Sequence, residues 1–102
     1  MPIKQRGLDR RDVGSEAELR NALQAEFAHP QQTGEPEIII EQSSPGTTHL
    51  YVIWSRWDDL EQVVRSRIVL DAFAAARGEA EALQVTISMG LTPAEAVRLG
   101  IG

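Results

Sequence analysis

The sequence predicts a single small α+β domain. Its 102 residues are enough for one hydrophobic core, and a composition of 42% hydrophobic and 25% charged residues is typical of globular proteins. Helix-like apolar spacing alternates along the chain with short β-branched runs. The predicted order is helix, strand, strand, helix, strand, short helix, with helices on one face of a three-stranded mixed sheet. Residues 15–102 form this domain, and residues 1–14 are predicted to be a flexible arm.

The first helix is predicted to begin at Ser15. Ser15 and Glu18 have the spacing of a capping box, in which each side chain satisfies a free backbone N–H of the other. Pro30 ends the helix, because the residue before a proline is driven out of the α region. Residues 1–14 lack apolar periodicity and carry four basic and two acidic side chains. The apolar stripe of the helix consists of Leu19, Ala22, Leu23 and Phe27.

Two strands are predicted after this helix. Residues 37–42 are short and β-branched, and the Ser-Ser-Pro-Gly of residues 43–46 is typical of a turn. Residues 47–55 carry apolar side chains on both faces, as expected of a central strand that is covered on both sides. The short connection predicts an antiparallel hairpin.

The second helix is predicted to start at an N-cap formed by Asp58 or Asp59 and to run to about Arg77. Apolar residues from Val64 to Ala76 form the stripe that faces the core.

The opposite side of the second helix carries Val63 and Leu70, seven residues apart. These side chains are either covered by the first helix or offered to a partner. Arg67, on the same side, is predicted to pair with Asp71 at i, i+4.

Residues 79–88 fit both a helix and a strand. Leu83, Val85 and Ile87 alternate with polar residues, which favours a strand from about Leu83. A strand–helix–strand crossover predicts parallel pairing with a right-handed connection. Thr92–Glu95 is a second capping box with proline at the first helical position, so a short helix is predicted to about Leu99.

Composition restricts the function classes. The chain has no cysteine, which excludes disulfides, thiolate metal sites and cysteine nucleophiles within it. A formal net charge of −5 makes nucleic acid an unfavourable partner. No signal peptide or membrane-spanning window is visible, which predicts a cytoplasmic protein without membrane contact. The sequence also lacks the phosphate-loop, metal-helix and nucleophile-elbow motifs, so we predict no enzyme activity and no cofactor.

One region resembles a known family. Residues 57–69, residues 82–85 leading to Thr92 and Pro93, and His49 at the start of the second strand are similar to the BolA family, whose fold is like the type II KH fold. The resemblance covers roughly residues 15–95. The Ile-Trp-x-x-Trp-Asp-x-Leu pattern followed by Arg-Ser is also similar to uncharacterised small bacterial proteins.

The BolA resemblance implies an adaptor in iron–sulfur handling that pairs with a monothiol glutaredoxin, a histidine helping to hold a shared [2Fe–2S] cluster. The two family histidines are replaced here by Ser66 and Glu81. His49 is left as a weak metal-ligand candidate, and a single imidazole without a thiol cannot hold a cluster unaided.

The preferred hypothesis is a non-catalytic interaction module that binds another protein or forms a homodimer. Its predicted partner-binding residues are Trp57, Val63, Arg67 and Leu70. For Trp57 the alternative is a core position beside Trp54 at the entry of the second helix. The other functional hypotheses are the iron–sulfur adaptor and a nucleic-acid-binding regulator that uses the basic arm.

Overall fold

The computed structural model describes the backbone of residues 3–31, 34–44 and 46–101, and the side chains of residues 16–31, 34–42 and 46–101. Each predicted strand is present, and the helices outnumber the prediction by one short element and a 3₁₀ turn. In chain order the elements are α1 (Ile3–Ala28), β1 (Glu37–Ser44), β2 (Thr47–Ile53), a 3₁₀ turn (Ser55–Trp57), α2 (Gln62–Arg77), α3 (Glu79–Ala82), β3 (Val85–Leu91) and α4 (Pro93–Leu99).

The sheet has the order β1-β2-β3. β1 pairs with β2 in antiparallel orientation and β2 pairs with β3 in parallel orientation. The α+β class, the three-stranded mixed sheet and the central position of β2 are therefore confirmed. One face of β2 is buried along its length, whereas on the other face only Ile53, at its end, is fully buried. The two-sided cover predicted for this strand is therefore present only at that end.

The main core lies between one face of the sheet and the helices α1 and α2. Phe27 of α1 and Phe73 of α2 meet edge to face, with ring centroids 5.3 Å apart, a geometry that aromatic quadrupoles favour. The buried residues of this core are Leu19, Leu23, Phe27, Leu50, Val52, Trp54, Trp57, Ile68, Val69, Ala72 and Phe73.

A smaller cluster covers part of the other face. Ile53 and Leu91 are buried there against Ala96 of α4. α1 and α2 thus share one face, as predicted, whereas α4 packs on the opposite one. The Thr92–Glu95 capping box that starts α4 is present as predicted, with both of its reciprocal hydrogen bonds.

The predicted start of α1 at Ser15 is wrong. The helix begins at Ile3 and has 26 residues, because no proline interrupts residues 3–28 and the glycines there lower helix propensity by only about 1 kcal/mol each. The mobility predicted for residues 1–14 stays a prediction, and residues 1–2 lie outside the described residues. Despite the length of α1, none of the helices in the described part of the chain is apolar enough to cross a membrane.

The predicted N-cap of α2 at Asp58 or Asp59 is also wrong. The N-cap is Glu61, and the helix begins at Gln62. After the 3₁₀ turn, the Leu60 N–H donates a 2.9 Å hydrogen bond to the Trp57 carbonyl. Residues 58–60 therefore belong to the turn that carries Trp57 into the core.

Residues 79–88 satisfy both sequence patterns in succession. Glu79–Ala82 form the single helical turn α3, and the strand begins at Val85, two residues later than predicted. Gly78, at a φ of 100°, ends α2 and allows this change of direction.

Truncation of Leu23 tests the packing of α1 on the sheet. Leu23 is fully buried, so Leu23→Ala is expected to lower the free energy of unfolding by about 2–5 kcal/mol in urea denaturation. Leu99→Ala removes the same atoms from a side chain that is more than half exposed and serves as the control. Equal losses for the two variants would contradict the position of α1.

Candidate interaction site

Trp57 is part of the core. Its side chain is 0% exposed, and its indole Nε1–H donates a 2.9 Å hydrogen bond to the Val52 carbonyl. The ring meets that of Trp54 edge to face, 5.3 Å between centroids. Trp57 is therefore buried within the chain and offers no exposed surface to a partner in this structure.

Trp57 packs against the sheet at Gly90 of β3. A Cβ on Gly90 would lie 2.7 Å from Cε2 of Trp57 and 2.8 Å from Cβ of Arg65. Only glycine allows α2 and the indole to come this close to the strand. The sequence contains no signal that predicts this contact, because an isolated glycine in a strand pattern has several explanations.

Gln62 fastens the start of α2 to the same glycine. Its amide donates to the Gly90 carbonyl and accepts from the Gly90 N–H, with both distances 3.0 Å. The two bonds occupy the backbone groups that β3 directs away from β2 at this residue.

Arg65 is a buried cation with three fixed acceptors. It donates to the Leu60 carbonyl at 2.8 Å, to the Gly90 carbonyl at 3.1 Å and to the Glu95 carboxylate at 2.7 Å. A buried charge is tolerated only when it is paired and hydrogen-bonded in this way. Arg65 is therefore a buried, ion-paired residue and not part of the exposed surface of α2. The available signal is its place on the apolar side of α2, one helical turn before Ile68 and Val69.

Glu95 connects α4 to this network. The Thr92 N–H donates to its carboxylate at 2.9 Å. This backbone hydrogen bond first, and the Arg65 guanidinium second, lower the pKa of Glu95 below its ordinary value. The network thus joins α2, β3 and α4, and its polar groups are engaged in holding these elements together.

Three of the four predicted partner-binding residues lie together. Val63 is 67% exposed, Arg67 is exposed and Leu70 is half-buried. Their spacing of four and three residues puts them on the side of α2 opposite the core. We call Val63, Arg67 and Leu70 the outer α2 surface.

This side of α2 is only partly covered in the structure, and its role as a partner surface stays a prediction. α1 reaches α2 at Asp71, which forms an ion pair with Arg20 at 3.5 Å, and it leaves Val63 uncovered. The predicted pair between Arg67 and Asp71 is not among the ion pairs of the residues whose side chains are described. The Arg67 side chain is exposed.

His49 lies on the other face of the sheet. Its Nδ1 is 3.9 Å from the Glu41 carboxylate, and its ring lies 6.5 Å from that of Tyr51. Among residues with described side chains, no group of three or more His, Asp or Glu is arranged to hold a metal ion. The metal-ligand role of His49 stays a prediction.

Gly90→Ala tests the close approach of Trp57 to β3. The new methyl group must displace the indole or Arg65, so the variant is expected to be less stable by about 1–3 kcal/mol in urea denaturation. Thr86→Ala, at an exposed position of the same strand, controls for changes in strand propensity. A Gly90→Ala variant as stable as the control would refute the packing.

The pH dependence of stability tests the Glu95 contacts. Because the pKa of Glu95 is lowered in the folded state, its stabilising contribution is complete above about pH 4.5 and is lost as the pH falls through the lowered value. The difference in free energy of unfolding between wild type and Glu95→Gln is therefore expected to shrink from pH 7 to about pH 3. Glu79→Gln, in α3, controls for the loss of one carboxylate. A difference that stays constant over this range would contradict the proposed contacts.

Comparison with known proteins gives no evidence about the function of this chain. The chain matches no protein-family model, no curated protein and no solved structure. The resemblance to the BolA family stays a prediction.

Proposed function

We propose that this protein is a non-catalytic interaction module that binds a partner protein through the outer α2 surface. The observation that carries the proposal is the exposure of Val63. An aliphatic side chain that is 67% exposed lies beside Leu70 on the side of a helix whose other side is anchored in the core.

The anchoring of α2 supports this role. Gln62 and Arg65 hold the first turns of the helix to Gly90, and Trp57 fills the space beneath them. A surface on a rigid element loses little conformational entropy when it binds, and this favours affinity.

The chemistry of the surface indicates what kind of partner fits. Val63 and Leu70 offer apolar contact, and Arg67 adds a cation that is free of ion pairs among the described side chains. A partner with apolar side chains around one carboxylate is complementary to all three.

Other exposed apolar side chains lie on several elements, and two of them, Val97 and Leu99, lie on α4. The outer α2 surface differs from them because two aliphatic side chains and a charged one adjoin on a single face. The large exposed apolar residues outside α2 are Ile40, Leu83, Ile87, Val97 and Leu99.

The remaining hypotheses have no supporting contact. The glutaredoxin-dependent iron–sulfur adaptor depends on His49, whose described neighbours are Glu41 and Tyr51. The nucleic-acid-binding regulator depends on basic side chains of residues 1–14, which lie outside the described side chains. Both stay predictions.

Paired substitutions test the outer α2 surface. Val63→Glu places a carboxylate in the apolar contact, and Arg67→Glu reverses the charge that faces the partner. Each is expected to reduce binding at least about tenfold, since interface cores reject unpaired charge. Leu83→Glu makes the same apolar-to-acidic change at an 83% exposed position between α3 and β3 and is expected to bind as the wild type does.

The measurement is cross-linking and co-purification from the native host with all four chains, followed by calorimetry with the recovered protein. A protein retained by wild type and Leu83→Glu but lost by Val63→Glu and Arg67→Glu supports the proposal. Retention by all four chains, or by none, counts against it. Sedimentation of the four chains shows in parallel whether the retained protein is a second copy.

A further inference from the structure

We infer that the free edge of β1 binds an extended segment of a partner protein that carries two basic side chains four residues apart with an apolar residue midway between them. The segment adds a fourth strand to the sheet. This inference concerns a different edge from the one beside α2, so it goes beyond the function proposed above and does not depend on it.

Of the two sheet edges, β1 is the one whose outward backbone has no hydrogen-bond partner among the described residues. The strand order leaves β1 and β3 as the two edges. On β3, Gln62 occupies both backbone groups of Gly90, and the register with β2 is irregular at the other end, between Thr48 and His49. Both features prevent a further strand from pairing.

The register shows which backbone groups of β1 are free to pair. The Trp54 N–H donates to the Leu91 carbonyl at 2.8 Å, so this residue of the β2 segment bonds toward β3. Because neighbouring residues of a strand direct their backbone groups to opposite sides, Ile53 bonds toward β1, and its partner there is Glu37. By the same alternation Ile38 and Ile40 direct their N–H and C=O groups away from the sheet.

Two carboxylates mark this edge. Glu37 and Glu41 are exposed and lie on the same face of β1, on either side of Ile39. Their separation of four residues corresponds to about 13 Å along the strand. The Glu41 side chain is 59% exposed, with only a 3.9 Å contact to His49, and Glu37 forms no ion pair among the described side chains.

Glu37 also borders an open cleft of about 500 Å³ at the end of the sheet. Ile53, Val97 and Ile101 contribute apolar walls. A lysine or arginine opposite Glu37 places its aliphatic stem along these walls while its charge meets the carboxylate.

A second copy of the chain is a poor occupant. In antiparallel self-pairing centred on Ile39, Glu37 of each copy faces Glu41 of the other, so two pairs of like charges lie directly opposite each other. The net charge of −5 on each chain adds to this repulsion. A segment with basic residues at the same positions turns both repulsions into attractions while it keeps the apolar contact with Ile39.

The probe is the peptide acetyl-Thr-Lys-Val-Val-Val-Lys-Thr-amide, which is titrated into the full chain and followed by calorimetry. We expect binding that weakens as salt is added, because the ion pairs are exposed. A peptide with glutamate in place of both lysines, and an isomer with adjacent lysines, are expected to bind at least about tenfold more weakly.

Variants of the protein separate charge recognition from strand addition. Glu37→Lys together with Glu41→Lys is expected to reverse the preference between the lysine and glutamate peptides. Glu18→Lys together with Glu79→Lys makes the same change of net charge on α1 and α3 and is expected to keep the original preference. Ile40→Pro removes an outward N–H that the sheet does not use, so it is expected to abolish peptide binding; circular dichroism verifies its fold.

Each result of the peptide titrations either supports or overturns the inference. Reversal by the first double variant, but not by the second, supports the inference. Equal affinity for all three peptides overturns it, as does an unchanged preference in the first double variant. Self-association of the wild-type chain that Ile40→Pro removes would identify a second copy as the occupant and would also overturn it. A failure of the peptide to bind the β1 edge would not contradict the outer α2 surface. Either proposal can therefore be overturned without the other.

Discussion

The arrangement of this protein depends on the close approach of Trp57 and Arg65 to Gly90. A side chain at residue 90 would collide with both, and its absence lets the indole fill the corner between β2 and α2. A single nitrogen of Arg65, Nη1, then donates hydrogen bonds to both the Gly90 carbonyl and the Glu95 carboxylate. Removing one member leaves a buried charge or a void. This contact therefore sets the position of α2 on the sheet and connects α4 to it.

The direction of the outer α2 surface follows from that anchoring. Once Arg65 is fixed inward, helical geometry turns Val63, Arg67 and Leu70 toward solvent. A partner bound there contacts a helix whose opposite side is held by Gln62 and Arg65. Trp57, the residue whose type most strongly indicates a binding hot spot, contributes indirectly because it makes this helix rigid.

The two edges of the sheet differ in whether their outward backbone groups are hydrogen-bonded within the described chain. On β3, Gln62 of α2 bonds both backbone groups of Gly90. This blocks edge-to-edge pairing of a strand that has no charged residues. On β1 the backbone of Ile38 and Ile40 stays open, and Glu37 and Glu41 oppose pairing with another copy. These carboxylates discourage self-association and favour a basic segment. The β1 edge and the outer α2 surface lie on different elements, so partners at the two sites do not compete for the same residues.

Local sequence patterns determined the elements of this protein, and long-range contacts decided how they are used. The β-branched run of β1, the two-sided apolar pattern of β2 and the Thr92–Glu95 capping box each act within a few residues, so the strand order, the mixed sheet and the start of α4 were predictable. The candidate residues Val63, Arg67 and Leu70 followed from helical periodicity for the same reason. The core position of Trp57 was one of the two alternatives that its place beside Trp54 suggested. The pairing of Arg65 with Glu95 and the role of Gly90 were not predictable, because Arg65 lies 25 positions from Gly90 and 30 from Glu95. The early start of α1 was missed because the Ser15–Glu18 capping pattern lies inside a longer helix. The late start of α2 was missed because the turn that buries Trp57 takes up residues 58–60. Propensity acts along the chain, whereas burial and charge pairing are decided only where distant segments meet.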